Sequence, residues 1–367
     1  SLIKNAYIGV HIGKIAFLQN NGNPLAYMRS GGVINATNTQ FLNCSAGVVF
    51  EPYSFSAYST FAVNCRFTFS KQFIGNETAM FNPDAGYIGI YTSGMRRLNL
   101  TGIIFERTGT IGSSLQYHKQ GIGIVATNSH LNIGSLASNG NMAPTSESCT
   151  FTNLYKGIDI YGFGTALNAA IIDQNQFTQT RRGITLNGNG FSQIRQNTFT
   201  QIPSIETTQN SNLIYQAYGI LNYGSTAFNI EGNVFSKDSL QYNATHGIIT
   251  LNSGLGGGTI KRNAFEGSFW AANLLLGDNQ ALELDCNQYN NQNKADWLIA
   301  HALDPETGII NLANLKEQGY CDFNDPNNNA PLHEYWHAEA DTTNYHILNL
   351  GLDTVVVHYE QNDPATF

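Results

Sequence analysis

The sequence predicts an all-β solenoid of stacked coils, and three observations predict it. First, one phrase recurs five times: an aliphatic residue, two spacers, Asn, one spacer and an aromatic. Its copies are Ile172/Asn175/Phe177, Ile194/Asn197/Phe199, Ile230/Asn233/Phe235, Ile260/Asn263/Phe265 and Leu284/Asn287/Tyr289, with the aromatics 22, 36, 30 and 24 residues apart. A fixed short phrase with elastic spacing is what stacked coils give when insertions are confined to their edges. Second, a Gly-Ile phrase fills the rest of each coil, at Gly157-Ile158, Gly183-Ile184, Gly219-Ile220 and Gly247-Ile248. Third, only 12% of residues are charged while 42% are hydrophobic, with 36 Gly. Such a composition suits short apolar strands joined by Asn and Gly bends that tolerate left-handed backbone.

Each coil can be read in order. Gly follows the aromatic by six residues where nothing intervenes, as from Phe41 to Gly47, Phe151 to Gly157 and Phe177 to Gly183. Insertions at 203–217 and 236–245 lengthen the coils after Phe199 and Phe235. Within the Gly-Ile runs alternation has period two, which puts Ile158 and Ile160 on one side and Asp159 on the other. Earlier coils are degenerate but visible at Phe41, Phe67, Phe105 and Gly121-Ile122-Gly123-Ile124. About ten or eleven coils fit into residues 1–321.

The residue after each aliphatic position reads Asp173, Arg195, Glu231, Lys261, Asp285, with alternating sign. Stacking would place opposite charges about 5 Å apart on a solvent face, each pair worth roughly 0.2–1 kcal/mol, which pins register more than it adds stability. The recurrent Asn is expected to bond to its equivalents and to neighbouring backbone at a bend, and the aromatic to stack in the core.

Residues 322–331, rich in Asn, Asp and Pro, read as loop. Two strand-like runs, 345–350 and 354–359, then predict a β-hairpin over 322–367 that caps the solenoid or joins it to a further domain.

The net charge of -8 and the low content of Lys and Arg, 18 in 367, provide no basic stripe, so nucleic acid is not an expected partner. No run of 18 apolar residues predicts a membrane span. The chain begins mid-phrase at Ser1-Leu2-Ile3-Lys4, and is read as a piece of a longer protein with flanking domains. Its five cysteines are too few and too dispersed for a disulfide framework. Cys44 with Cys65, about one coil apart, and Cys286 with Cys321 are candidate disulfides, the alternative being buried free thiols.

Asn175-Gln176-Phe177 followed by Gly183-Ile184 resembles the phrase of the right-handed parallel β-helix repeat proteins, the pectate-lyase-like superfamily, over about residues 33 to 300. Within it the Asn-rich, loosely spaced form is similar to large secreted and surface proteins of Bacteroidota. The resemblance implies a right-handed parallel β-helix and an exported protein; the fold itself hosts lyases, hydrolases, epimerases, adhesins and stalks.

Three kinds of chemistry have candidate residues. His333-Glu334-Tyr335-Trp336-His337 matches HExxH, in which a helix puts two His on one face for zinc and Glu serves as base. Yet position 340 is Ala and 343 is Thr, which breaks the longer metzincin pattern. Carbohydrate cleavage needs two carboxyl groups on one groove, or a base beside metal-holding acids. The outward positions 159, 185, 221 and 249 supply only Asp159, with Arg182 as a conceivable partner. Glycan binding without cleavage needs exposed aromatics, which Tyr155, Tyr161, Tyr223 and Trp270 could supply. The expected function is a non-enzymatic extracellular or cell-surface scaffold or adhesin segment that engages a polysaccharide or protein, with no cofactor. A polysaccharide lyase or hydrolase is the alternative, and a zinc peptidase a more remote one. Repeated residues have structural tasks, so function is expected in the insertions at 106–120, 126–147 and 203–217, and after 322.

Overall fold

A computed structural model of the chain describes residues 1–13, 15–18, 24–28, 34–51, 59–61, 65–70, 87–95, 98–109, 120–134, 148–162, 169–203, 217–237, 245–253, 256–276, 279, 282–285, 287–289, 297–300, 332–337 and 354–359. The chain divides into two compact units, Ser1–Thr180 and Arg181–Phe367. Each is a right-handed parallel β-helix built from three parallel sheets. An antiparallel hairpin of Ile15–Leu18 and Pro24–Met28 forms a small sheet of its own.

A coil visits the sheets in a fixed order. The Ile sheet carries the aliphatic residue, the Phe sheet the aromatic, and the Gly sheet the Gly-Ile phrase. In the first unit one such coil is Leu131–Gly134, Thr150–Thr152 and Lys156–Tyr161. In the second, one is Phe228–Glu231, Val234–Lys237 and Thr245–Leu251. Successive coils pair in register, Ile230 opposite Ile260 and Phe235 opposite Phe265.

The aromatics stack as the phrase predicts. In the first unit Phe41, Phe67, Phe105, Phe151 and Phe177 follow one another with ring centroids 4.6, 4.9, 5.0 and 4.7 Å apart and planes within 12°. In the second, Phe199, Phe235, Phe265 and Tyr289 do so at 4.7, 4.9 and 5.3 Å. Each stacked pair is worth about 0.5–1.5 kcal/mol beyond its burial.

These rings explain the glycines. A Cβ on Gly219 would lie 2.4 Å from Phe235 Cε1 and 2.8 Å from the Gly247 carbonyl oxygen, and Gly47, Gly89, Gly123, Gly183 and Gly247 are crowded in the same way by the ring of the next coil. The strand glycines thus answer to close packing, while the glycines that supply left-handed backbone stand at bends, as at Gly94, Gly188, Gly224 and Gly232. Where Tyr289 replaces Phe, the position equivalent to Gly247 is Ala272. The Tyr289 hydroxyl accepts from Asn273 Nδ2 at 2.7 Å, which satisfies the added polar atom in the core.

Left-handed backbone belongs to the bends. The residue before the ladder Asn has positive φ at the four described positions: Gln174 (56°), Gln196 (53°), Gly232 (66°) and Arg262 (55°). The Asn that follows then works by hydrogen bonding. Asn233 Oδ1 accepts from Asn197 N and Nδ2 at 2.9 and 3.0 Å, while Asn233 Nδ2 donates to the Ile194 carbonyl and to Asn263 Oδ1. Asn263 repeats the pattern on Asn287 and Ile230. The expected Asn ladder is therefore present.

A second ladder, absent from the sequence reading, closes the opposite bend. Ser225 N donates to Ser253 Oγ at 3.2 Å, Ser253 N donates to Asn279 Oδ1 at 3.0 Å, and in the first unit Met95 N donates to Ser129 Oγ at 3.1 Å.

The charge row holds in the second unit, where Arg195, Glu231, Lys261 and Asp285 are in register. Glu231 lies 3.7 Å from Lys261 and 3.2 Å from Arg262. Asp173 departs from it. Expected in solvent, it is buried at 6% exposure opposite Gly134, a neighbour with no side chain to offer it.

The proposed Cys44–Cys65 bridge is corrected: both are free and buried, as is Cys149. A spacing of about one coil hid a difference in position. Cys44 stands three residues after its core Phe, where its thiol is 3.8 Å from the Ile3 carbonyl oxygen. Cys65 and Cys149 stand two before theirs, at the ladder position of Asn, and donate to the Ala36 and Leu100 carbonyls. Cys286 and Cys321 lie outside the described residues.

Past residue 322 two strands continue the Gly sheet. Leu332–His337 pairs in parallel with Trp297–Ala300, and Thr354–Tyr359 pairs in parallel with Leu332–His337. Residues 345–350, the first strand of the expected hairpin, and the boundary at 321/322 lie outside the described residues.

Candidate functional site

In each unit the outer face of the Gly sheet carries some of the residues singled out by sequence. The side chain of the residue before the Gly meets that of the residue two after it, as Lys156 meets Asp159 and as Ile122 clusters with Val125. In the first unit that face carries Lys156, Asp159 and Tyr161 on one strand. Lys156 Nζ donates to Asp159 Oδ2 at 2.6 Å and the Tyr161 hydroxyl donates to the same oxygen at 3.2 Å. Asp159 is fully buried, and its Oδ1 has no hydrogen-bond partner. Ile88, Ile122 and Val125, with Tyr91 beside them, form an apolar cluster on the preceding coils.

In the second unit the face begins with Arg182, whose guanidinium lies 5.6 Å from the Tyr218 ring centroid. The Tyr218 hydroxyl shares a 2.8 Å hydrogen bond with Thr185 Oγ1. Beyond it Tyr218, Ile249, Ala271, Leu274 and Leu276 form an apolar cluster against which Trp270, Leu221 and Leu251 pack. Asp159 and Arg182 belong to different units, and each has its partners on its own.

The four aromatics proposed as a platform differ in exposure. Tyr161 and Tyr223 are 37% and 40% exposed. Tyr155 and Trp270 are half-buried, Tyr155 with the Lys156 ammonium 5.9 Å from its ring centroid and Trp270 against the apolar cluster.

Sequence reasoning missed two buried bases. Lys237 is 5% exposed, donates to the Ser268 carbonyl at 3.0 Å, and is pushed down to about 8 by burial. His246 is 2% exposed and falls to about 3, first through burial and then through the Lys237 charge, against a raising contribution from the Ala271 backbone. It is a neutral imidazole at any ordinary pH. One signal was available: the residue before each Gly-Ile, reading Ile122, Lys156, Arg182, Tyr218 and His246, is an outward column of the sheet.

The HExxH segment is a strand, Leu332–His337, where the zinc motif needs a helix. At about 3.3 Å per residue an extended chain sets positions 333 and 337 roughly 13 Å apart, against about 6 Å on a helix. Among the described residues no group of three His, Cys, Asp or Glu is placed to hold a metal ion. None of the described helices is long and apolar enough to cross a membrane. Much of the insertions expected to carry function, at 110–119, 135–147 and 204–216, lies outside the described residues.

Comparison of the chain with protein-family models, with curated proteins and with solved structures gave no match in any of the three.

Proposed function

We propose that this chain is a non-enzymatic, extracellular scaffold or adhesin segment, each unit of which offers an exposed Gly-sheet aromatic to a polysaccharide, Tyr161 in the first and Tyr223 in the second. The observation that carries this reading is the state of Asp159. Across the Gly-sheet strands from Ile88–Ser93 to Ala271–Leu276 it is the only acid, and it is fully buried against Lys156 and Tyr161. Hydrolysis of a glycosidic bond by paired carboxyl groups needs two of them at one groove. A binding face needs none, because sugar rings stack on aromatics and bond to amides and hydroxyls.

The test is a glycan-array screen of the purified chain beside an assay for new reducing ends and unsaturated products on the same polysaccharides. Binding without turnover, weakened at least about tenfold in Tyr161→Ala or Tyr223→Ala, is the expected result. Turnover that disappears in Asp159→Asn would replace the scaffold by an enzyme. Absence of binding to any glycan would leave a scaffold without this ligand class.

A further inference from the structure

We propose that the bend leading from the Gly sheet to the Ile sheet in the second unit is a sugar subsite, where Phe191 joins Tyr223 as a second stacking ring, and that its ligand is an uncharged polysaccharide. The class of partner rests on the glycan reading; the second ring and the absence of charge go beyond it.

Two exposed rings share this bend. Among the described residues of the second unit, the exposed large hydrophobic side chains are Phe191 at 47% and Tyr223 at 40%. Phe191 lies between Arg182–Asn187 and Gln193–Arg195, and Tyr223 ends Ala217–Tyr223 on the next coil, ahead of Phe228–Glu231. Backbone joins the two turns: Gly188 N donates to the Tyr223 carbonyl and Phe191 N to the Thr226 carbonyl, each at 2.8 Å. The two aromatic residues therefore stand at either end of one stretch of paired turn backbone.

The fold does not ask for a ring at 191. Its φ of 59° is left-handed, an outlier for a bulky side chain. The bend requires that φ, yet smaller residues supply it elsewhere. Gln193 pairs with Asn229, so the equivalent residue one coil on is Ala227, with φ of 49°. Phe228 pairs with Gly258, so the next equivalent is Gly257, with φ of 81°. A methyl group and a hydrogen thus serve the same turn. An aromatic there adds backbone strain and exposed apolar surface to the fold, which points to a contact made with a partner.

The neighbouring backbone is bare. A Cβ on Gly224 would find its nearest neighbour 4.0 Å away, and one on Gly257 would meet nothing within 4 Å. A flat ring can therefore approach the turn beside Tyr223. Sugar rings stack on aromatic faces and bond to the amides and hydroxyls around them. Charge narrows the ligand further. Residues 187–192, Asn-Gly-Asn-Gly-Phe-Ser, and 223–228, Tyr-Gly-Ser-Thr-Ala-Phe, contain no Lys, Arg, Asp or Glu. A uronic acid or sulfated sugar would find no cation in either turn, and the net charge of -8 repels a polyanion. Neutral hydroxyls suit Asn187, Thr226 and the turn amides.

Affinity electrophoresis of the 367-residue protein tests this, in gels containing neutral glucomannan, xyloglucan or dextran, or acidic polygalacturonate. At least one neutral polymer should retard the protein, and polygalacturonate should not. Phe191→Ala and Phe191→Asn should each weaken that retardation at least about tenfold. Both should keep the urea midpoint of the parent, since Ala already stands at 227 and Asn tolerates left-handed backbone. Phe191→Tyr, which keeps the ring, should bind as the parent does. Retardation that survives Phe191→Ala and Phe191→Asn but falls in Tyr161→Ala or Tyr223→Ala overturns the subsite and leaves glycan binding standing. Retardation by polygalacturonate alone overturns the neutral ligand. No retardation by any of the four polymers overturns the subsite and removes its support from the glycan reading. A loss in Phe191→Tyr as large as in Phe191→Ala also overturns the stacking role.

Discussion

At the residue scale the fold is decided by which atoms have no room. Gly219 sits where a Cβ would meet the Phe235 ring and the Gly247 carbonyl, so even one methyl must displace a stacked aromatic or a strand. Gly219→Ala should cost about 1–3 kcal/mol in urea unfolding, from overpacking. Gly257, with φ of 81° and nothing within 4 Å of an added Cβ, is the control, since there Ala costs only the backbone conformation, about 1 kcal/mol. Equal losses at the two sites would refute the steric account. The thiols obey the same logic of enclosure. Cys149 is pushed up to about 12 by burial, and Cys44 and Cys65 are raised for the same reason. All three should resist an aromatic disulfide reagent in the native protein and react in urea. Peptide mapping without reductant that recovered a Cys44–Cys65 linkage would contradict the free-thiol assignment.

At the scale of the element the unit of stability is the bend. Asn233 Oδ1 receives two N–H groups of Asn197, and its own amide satisfies the Ile194 carbonyl and Asn263. Asn233→Ala strands these buried groups together, which should cost about 2–3 kcal/mol. Because each coil touches only its neighbours, hydrogen exchange should speed up at Asn197, Asn233 and Asn263 and little at Cys149; uniform loss of protection across both units would count against a local ladder. This element was legible because one amide does one task at every coil, so selection repeats a single letter. The Ser129, Ser225, Ser253 and Asn279 ladder was not, since a hydroxyl and an amide serve that bend equally well and leave no fixed letter. The strand at Leu332–His337 gave no clear signal for a related reason: HExxH is a spacing, and residues four apart share a face on a helix and on a strand alike. The candidate site was half legible. Asp159, Tyr161 and Tyr223 stood out by type, whereas Tyr218, Lys237 and His246 did not, because only coil stacking shows that they are buried.

For the molecule as a whole these buried bases set how stability depends on pH. His246 has a folded pKa of about 3 against an ordinary 6.5. Above 6.5 it is neutral in both states and contributes no slope. As pH falls from 6.5 to 3 the unfolded chain binds a proton that the folded one refuses, so stability drops by up to about 1.4 kcal/mol per pH unit. Glu231 adds a loss of the same sign lower down. Its carboxylate is held below the ordinary 4.5 first by the Asn229 amide, against a partial desolvation, and then by Lys261 and Arg262. Its contribution is present above 4.5 and is lost as pH falls through the folded value. Lys237 acts at the other end. Depressed to about 8 from 10.5, it is neutral in the fold before it is neutral in the unfolded chain, so stability rises from pH 8 to 10.5. Urea midpoints should be flat between pH 6.5 and 8, fall towards acid and rise from pH 8 to 9, above which the raised thiols of Cys44, Cys65 and Cys149 oppose the rise. His246→Gln should flatten the acid limb between pH 6.5 and 4.5, where Glu231 hardly titrates, and leave the alkaline limb unchanged. An acid limb as steep in His246→Gln as in the parent would remove His246 as its source.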